Sequence, residues 1–115
     1  MQPITVSTTD ASGGTTYSRK VRMDSWANPT SIIQVNVTGI ATYAVEGSMD
    51  DPNSPTDPVA EGSMTWINCS ASSVVGANAS AQGILTATPT FLRLKQISGN
   101  GSATMTVAQF GNATY

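Results

Sequence analysis

The sequence predicts an all-β protein, a single-domain β-sandwich or jelly roll of about seven to eight short antiparallel strands. Three observations carry that prediction. Apolar residues recur with period two in short runs, and Gly, Pro and Asn punctuate those runs at spacings of roughly 8–12 residues. No stretch of helical length keeps apolar residues at i, i+3, i+4 and i+7 without a breaker inside it. At 115 residues and 11.9 kDa the chain is one domain. Such a domain buries roughly two thirds of the surface its unfolded chain exposes, enough for a core without disulfides or metal.

Taken in order, residues 3–9 read as a first strand with Ile4 and Val6 on one face, Pro3 suiting a strand start or an edge. The same weakly charged stretch is fit to serve as an extended N-terminal arm over residues 1–9. Residues 10–14 form a turn. Residues 15–23 follow with Tyr17, Val21 and Met23 on one face, which Arg19 shares awkwardly, and 24–30 is a loop holding Trp26 and Asn28-Pro29. Residues 31–38 are the clearest strand, Ile33, Val35 and Val37 alternating with Ile32, Gln34 and Asn36. Gly39 then predicts a tight hairpin or a bulge into 40–48, where Ala41, Tyr43 and Val45 oppose Thr42, Ala44 and Glu46.

Pro52, Pro55 and Pro58 among acidic and Asx residues make 49–62 an exposed, locally stiff loop. Residues 64–68 read as a short strand centred on Trp66, and 69–82, rich in Ser, Ala, Gly and Asn, as a surface stretch with little core contact. Strands are expected over 83–88 and 91–97, with Leu92 and Leu94 facing one way and Phe91, Arg93 and Lys95 the other. The turn Ser98-Gly99-Asn100-Gly101 predicts a hairpin into 102–110, where Ala103, Met105 and Val107 share a face.

Composition excludes several functions. Thr (16) and Ser (14) outnumber the charged residues more than twofold, net charge is −2, and there is no histidine and one cysteine. No metal box, disulfide framework or basic nucleic-acid footprint is on offer, and no cofactor is expected. Without histidine, catalysis would rest on carboxylates, lysine or Cys69, so the chain is not expected to be an enzyme. Nothing marks one carboxyl for burial opposite another, as a glycosidase pair requires. Cys69 has no basic neighbour and reads as a small core residue. Asp50, Asp51, Asp57 and Glu61 have calcium-type oxygens but not the EF-hand spacing, and read as a solvated acidic loop. Trp66 and Tyr43 read as core in preference to a sugar site. The N-terminus lacks the charged and apolar regions of a signal peptide and no stretch is long enough to span a membrane, so a soluble chain made in a cytoplasm is expected. Five of seven asparagines, Asn36, Asn68, Asn78, Asn100 and Asn112, begin glycosylation sequons, a minority argument for a secreted glycoprotein.

From Val35 onward the succession of segments is distinctive. It runs Val35-Asn36-Val37-Thr38-Gly39, then Thr42-Tyr43-Ala44-Val45-Glu46-Gly47-Ser48-Met49-Asp50-Asp51-Pro52. After a variable acidic insert come Met64-Thr65-Trp66-Ile67-Asn68, Thr88-Pro89-Thr90-Phe91-Leu92-Arg93-Leu94 and the stretch from Ser98-Gly99-Asn100-Gly101 to Gln109. Over about two thirds of the chain this resembles a family of small virion structural proteins of tailed bacteriophages. The resemblance implies a capsid decoration or cement protein that binds and stabilises the phage head, with a neck, tail or head-fibre position as the alternative. It carries no catalytic residues. It implies the major capsid protein and other copies of the chain, as a trimer, for partners, with no nucleic acid, membrane or small-molecule ligand. The expected location is the capsid surface, after assembly in the host cytoplasm. A weakly charged, hydroxyl-rich exterior agrees with burial against neighbours. The candidate contacts are Ile4, Thr5 and Val6 in the arm and Asp50, Asp51, Pro52, Pro55 and Pro58 in the acidic loop. A glycan-binding module for host adhesion, stacking sugar on Trp26, Trp66 or Tyr43, is the reading from another class.

Overall fold

Period-two patterning is realised as ten strands in the computed structural model, which describes residues 3–23 and 30–109. They are β1 (Ile4–Thr9), β2 (Thr16–Tyr17), β3 (Val21–Arg22), β4 (Ser31–Thr38), β5 (Thr42–Ser48), β6 (Ile67–Asn68), β7 (Val75–Ala77), β8 (Ala81–Leu85), β9 (Phe91–Ser98) and β10 (Ser102–Gln109). The only helical turns among the described residues are the 3₁₀ segments Glu61–Ser63 and Ser72–Val74, and no described helix is long and apolar enough to cross a membrane.

Every ladder is antiparallel. One sheet has the order β1-β10-β4-β8. In the other, β9 and β5 are central, β2 and β3 share the outer edge of β9, and β6 and β7 share the outer edge of β5. Counted as single broken positions, those edges make two sheets of four between which the chain crosses after every position except from β5 to β6–β7, with its last strand between β1 and β4. This is the double-sheet arrangement of a jelly roll, and the predicted class holds.

The inward faces interlock as one core. Ile33 and Val35 of β4, Met105 and Val107 of β10, Leu85 of β8, Tyr43 and Val45 of β5 and Leu92 and Leu94 of β9 are all fully buried. Each contributes roughly 1.5–3 kcal/mol by leaving water. The Tyr43 hydroxyl, at the core boundary, donates to the carbonyl of Ala79 at 2.8 Å.

Several expectations are corrected. The Ser98–Gly101 turn makes no hairpin: β9 and β10 lie in different sheets, as do β4 and β5 on either side of Gly39. Both partners of each pair are apolar on one face, so they meet face to face across the core. Gln96 secures the β9–β10 corner from inside: its Nε2 donates to the carbonyls of Gly99 (3.1 Å) and Gly101 (3.0 Å), and its Oε1 accepts from Thr8 Oγ1 (2.9 Å). A Cβ on Gly101 would sit 2.3 Å from the Thr38 carbonyl oxygen, and one on Gly99, whose φ is +99°, 2.2 Å from that of Ile40.

Residues 15–23 are not one strand either. Ser18 breaks the run, its N–H donating to Leu94 O and its hydroxyl accepting from Leu94 N–H at 2.9 Å, so Tyr17 and Arg19 face outward while Val21 and Met23 face the core. Of the strand expected over 64–68 only β6 forms. The stretch 69–82 does reach the core, because the Ser72–Val74 turn drops Val74 and Ala71 into it. Nor is the N-terminal segment an arm over residues 4–9: β1 pairs along its whole length with β10, and Val6 and Thr8 are buried.

Candidate functional site

The predicted contact residues lie apart. Of the three candidates in β1 only Thr5 points to solvent; Val6 is core and Ile4, partly buried, packs against it. In the acidic loop, Asp50 accepts the Thr65 N–H at 2.6 Å and Asp51 forms a bidentate pair with Arg22. Pro52 is half-buried, while Pro55 and Pro58 are exposed. The calcium reading loses its oxygens here, and no three acidic, Cys or His side chains among the described residues are grouped to hold a metal ion.

Thr5 belongs to a larger surface. The strands of the four-stranded sheet contain no Asp, Glu, Lys or Arg. Antiparallel register brings their outward residues into rows, with Thr5 opposite Thr106, Thr106 opposite Gln34 and Gln34 opposite Gln82. The hydroxyls of Thr5 and Thr106 are 3.1 Å apart, those of Ser7 and Thr104 3.3 Å, and Gln82 Nε2 reaches Gln34 Oε1 at 3.5 Å. A second row pairs Ile32 with Ile84, which is 63% exposed. This face is flanked by β1, which pairs on one side only among the described residues, and by β8, whose outer edge is partly taken by the Ser72–Val74 turn, Ser73 Oγ donating to the Gln82 carbonyl at 2.7 Å. An unpaired edge such as that of β1 is a template for a further strand.

The outer face of the six-stranded sheet is built from opposite chemistry. Glu46 and Arg93 face each other across β5 and β9. Arg93 Nε donates to Glu46 Oε1 at 3.0 Å, Nη2 lies 3.0 Å from the same oxygen, and Lys95 Nζ is 3.8 Å from Oε2. The Arg93 guanidinium lies over both Tyr17 and Trp66, 4.1 Å from each ring centre. Beside it Lys20 pairs with Glu61, and Arg22, 4.6 Å from the Phe91 ring centre, grips Asp51 at 2.7 and 3.1 Å. The Arg22 hydrogen bonds, helped by the Asn53 N–H, hold the Asp51 carboxyl below its ordinary value and raise Arg22. These pairs tie the acidic loop to the sheet.

This cluster was not foreseen. The sequence placed Phe91, Arg93 and Lys95 on one face, but it read Trp66 as core, where the structure leaves it half-buried on the surface. Tyr43 is fully buried and closed to a sugar, and Trp26 lies outside the described residues. Cys69 is half-buried against the core, and burial pushes its thiol up, away from nucleophilic chemistry. Of the sequon asparagines, Asn36, Asn68, Asn78 and Asn100 are exposed, and Asn112 lies outside the described residues.

Two of the concavities formed by the described residues bear on these faces. One, of about 400 Å³, lies at the β6 and β8 edges and is lined by Met49, Ile67, Leu85 and Pro89. The other, of about 240 Å³, lies on the charged face and is lined by Arg19, Lys20, Glu61, Met64, Trp66 and Arg93, with Ser18. No family model, no curated protein and no solved structure matches the chain.

Proposed function

We propose that the chain is a structural subunit of a bacteriophage particle, a capsid decoration or cement protein that seats the uncharged outer face of its four-stranded sheet on the major capsid protein. The observation that carries this reading is the sheet itself: strands without a single charged residue, with β1 an edge that pairs on one side only among the described residues. Interface cores are depleted in charge, and a monomer that must stay apart from its neighbours blunts its edges with Lys, Pro or bulges. The succession of segments from Val35 to Gln109 adds the phage assignment. Jelly rolls occur in viral capsids and in lectins alike, so fold alone does not choose between them.

The mechanism is mass action. A subunit that binds only the assembled shell adds roughly 2.7 kcal/mol per site at a free concentration one hundred times its Kd. Trimerisation through the β1 edge adds avidity by engaging several shell sites together. No catalytic role is included.

The test is cosedimentation of the purified protein with phage heads that lack it. Saturation at a fixed ratio to the major capsid protein, with heads more resistant to heat, is the expected result. A few copies per particle would move the subunit to the neck, tail or a head fibre, and no binding would overturn the proposal. Deleting residues 1–9 would remove Val6 from the core, so the surface is probed by Thr104→Lys with Thr106→Lys, which should abolish binding while the melting temperature stays near wild type.

A further inference from the structure

We propose that the 240 Å³ cavity on the charged face is a binding site for a carboxylate-bearing sugar ring, a hexuronic acid residue of an acidic polysaccharide. The charge argument comes first. The chain carries a net −2, yet all five of its cations, Arg19, Lys20, Arg22, Arg93 and Lys95, gather on this side of the molecule against the carboxylates of Glu46, Asp51 and Glu61. Three of those cations line the cavity, with Glu61 its one acid. A concave site in which cations outnumber the acid focuses a positive potential onto an anionic ligand. Arg19 is exposed and has no ion-pair partner among the described residues, whereas the other four cations each have one.

Pre-organisation is the second argument. The Arg93 guanidinium carbon lies 4.1 Å from the ring centres of both Tyr17 and Trp66, and its Nε and Nη2 are engaged by Glu46, while Nη1 has no partner among the described residues. A guanidinium fixed in this way loses little rotamer freedom when it receives a carboxylate. Ring size is the third. The cavity falls below the roughly 300–1,000 Å³ that drug-sized ligands fill, which suits one monosaccharide. Trp66 and Met64 supply an apolar wall for the C–H face of a pyranose ring, which a bare inorganic anion would leave unused. The site lies on the side of the sandwich opposite the uncharged sheet, so both surfaces can be occupied at once. The inference stands on the cavity and does not require the capsid reading.

The test is an NMR titration of the full chain, free of phage particles, with galacturonate, galactose and acetate at low salt. Galacturonate should shift the amides of residues 18–20, 61–66 and 93 saturably, and bind at least about tenfold more tightly than either control. Arg19→Gln should weaken galacturonate by about tenfold at an unchanged melting temperature, and Arg19→Lys should recover most of the loss. Equal binding of galactose would show that the cations play no part, and equal binding of acetate would leave a general anion cleft; either overturns the proposal. So does the absence of saturable shifts, or an Arg19→Gln variant that binds like wild type.

Discussion

On the outer face of the four-stranded sheet, hydroxyls and amides meet each other in rows; on that of the six-stranded sheet, charges meet rings and carboxylates. The edges differ in the same sense. β2, β3 and β6 are two-residue fragments and β7 has three residues, whereas β1 runs six and β8 five without a break. Broken edges resist further pairing, and on the ionic face Asp51 and Glu61 tie the acidic loop to the sheet. One sheet is finished within the chain. The other presents a surface whose hydrogen-bonding groups satisfy one another or water, and which a neighbour can cover without stranding a charge.

That contrast can be broken or sharpened in order of expected effect. Gly101→Ala attacks the corner both sheets share, since its Cβ would lie 2.3 Å from a backbone oxygen that cannot swing away. It should cost about 3 kcal/mol or more in urea unfolding, or prevent folding. Glu46→Ala comes next, because Glu46 is 6% exposed and its removal strands Arg93 and Lys95. Those cations keep some access to water, so the loss should be about 2 kcal/mol, below the range for a fully buried pair.

Acid should separate the faces without a mutation in either core. Arg22 keeps the folded Asp51 below its ordinary 3.8, so the stability it contributes is fully present above that pH and is lost as pH falls through the depressed value. Asp10, lowered by hydrogen bonds from the Ser12 hydroxyl and N–H, acts in the same direction. Asp51→Asn should therefore flatten the fall in melting temperature below pH 3.8 without removing it, and a profile identical to wild type would place the pair outside the folding equilibrium. The smallest effect belongs to the uncharged sheet. Thr106→Val removes an exposed hydroxyl pair but keeps the β-branched shape, and should change unfolding free energy by less than about 0.5 kcal/mol. A cost matching that of Glu46→Ala would mean the hydroxyl rows hold the fold together and are not a surface held for a partner.

Much of this molecule was legible locally. Strand existence follows from period-two alternation, so β4, β9 and β10 and their inward residues, Ile33, Val35, Leu92, Leu94, Met105 and Val107, were readable with nothing but the pleat. The absence of charge from the strands that form one sheet was also written in the sequence, though not the fact that those strands are neighbours. Pairing was beyond local reading, because Ser98–Gly101 has the chemistry of a hairpin turn and only the core decides whether its arms meet edge to edge or face to face. The same holds for the charged site. Tyr17, Glu46, Trp66 and Arg93 come from four separate segments, and the register of β5 on β9 with the break at Ser18 brings them together. Alternation along a strand belongs to the sequence; which strand lies beside it, and so which side chains share a surface, is settled by the global burial of apolar faces.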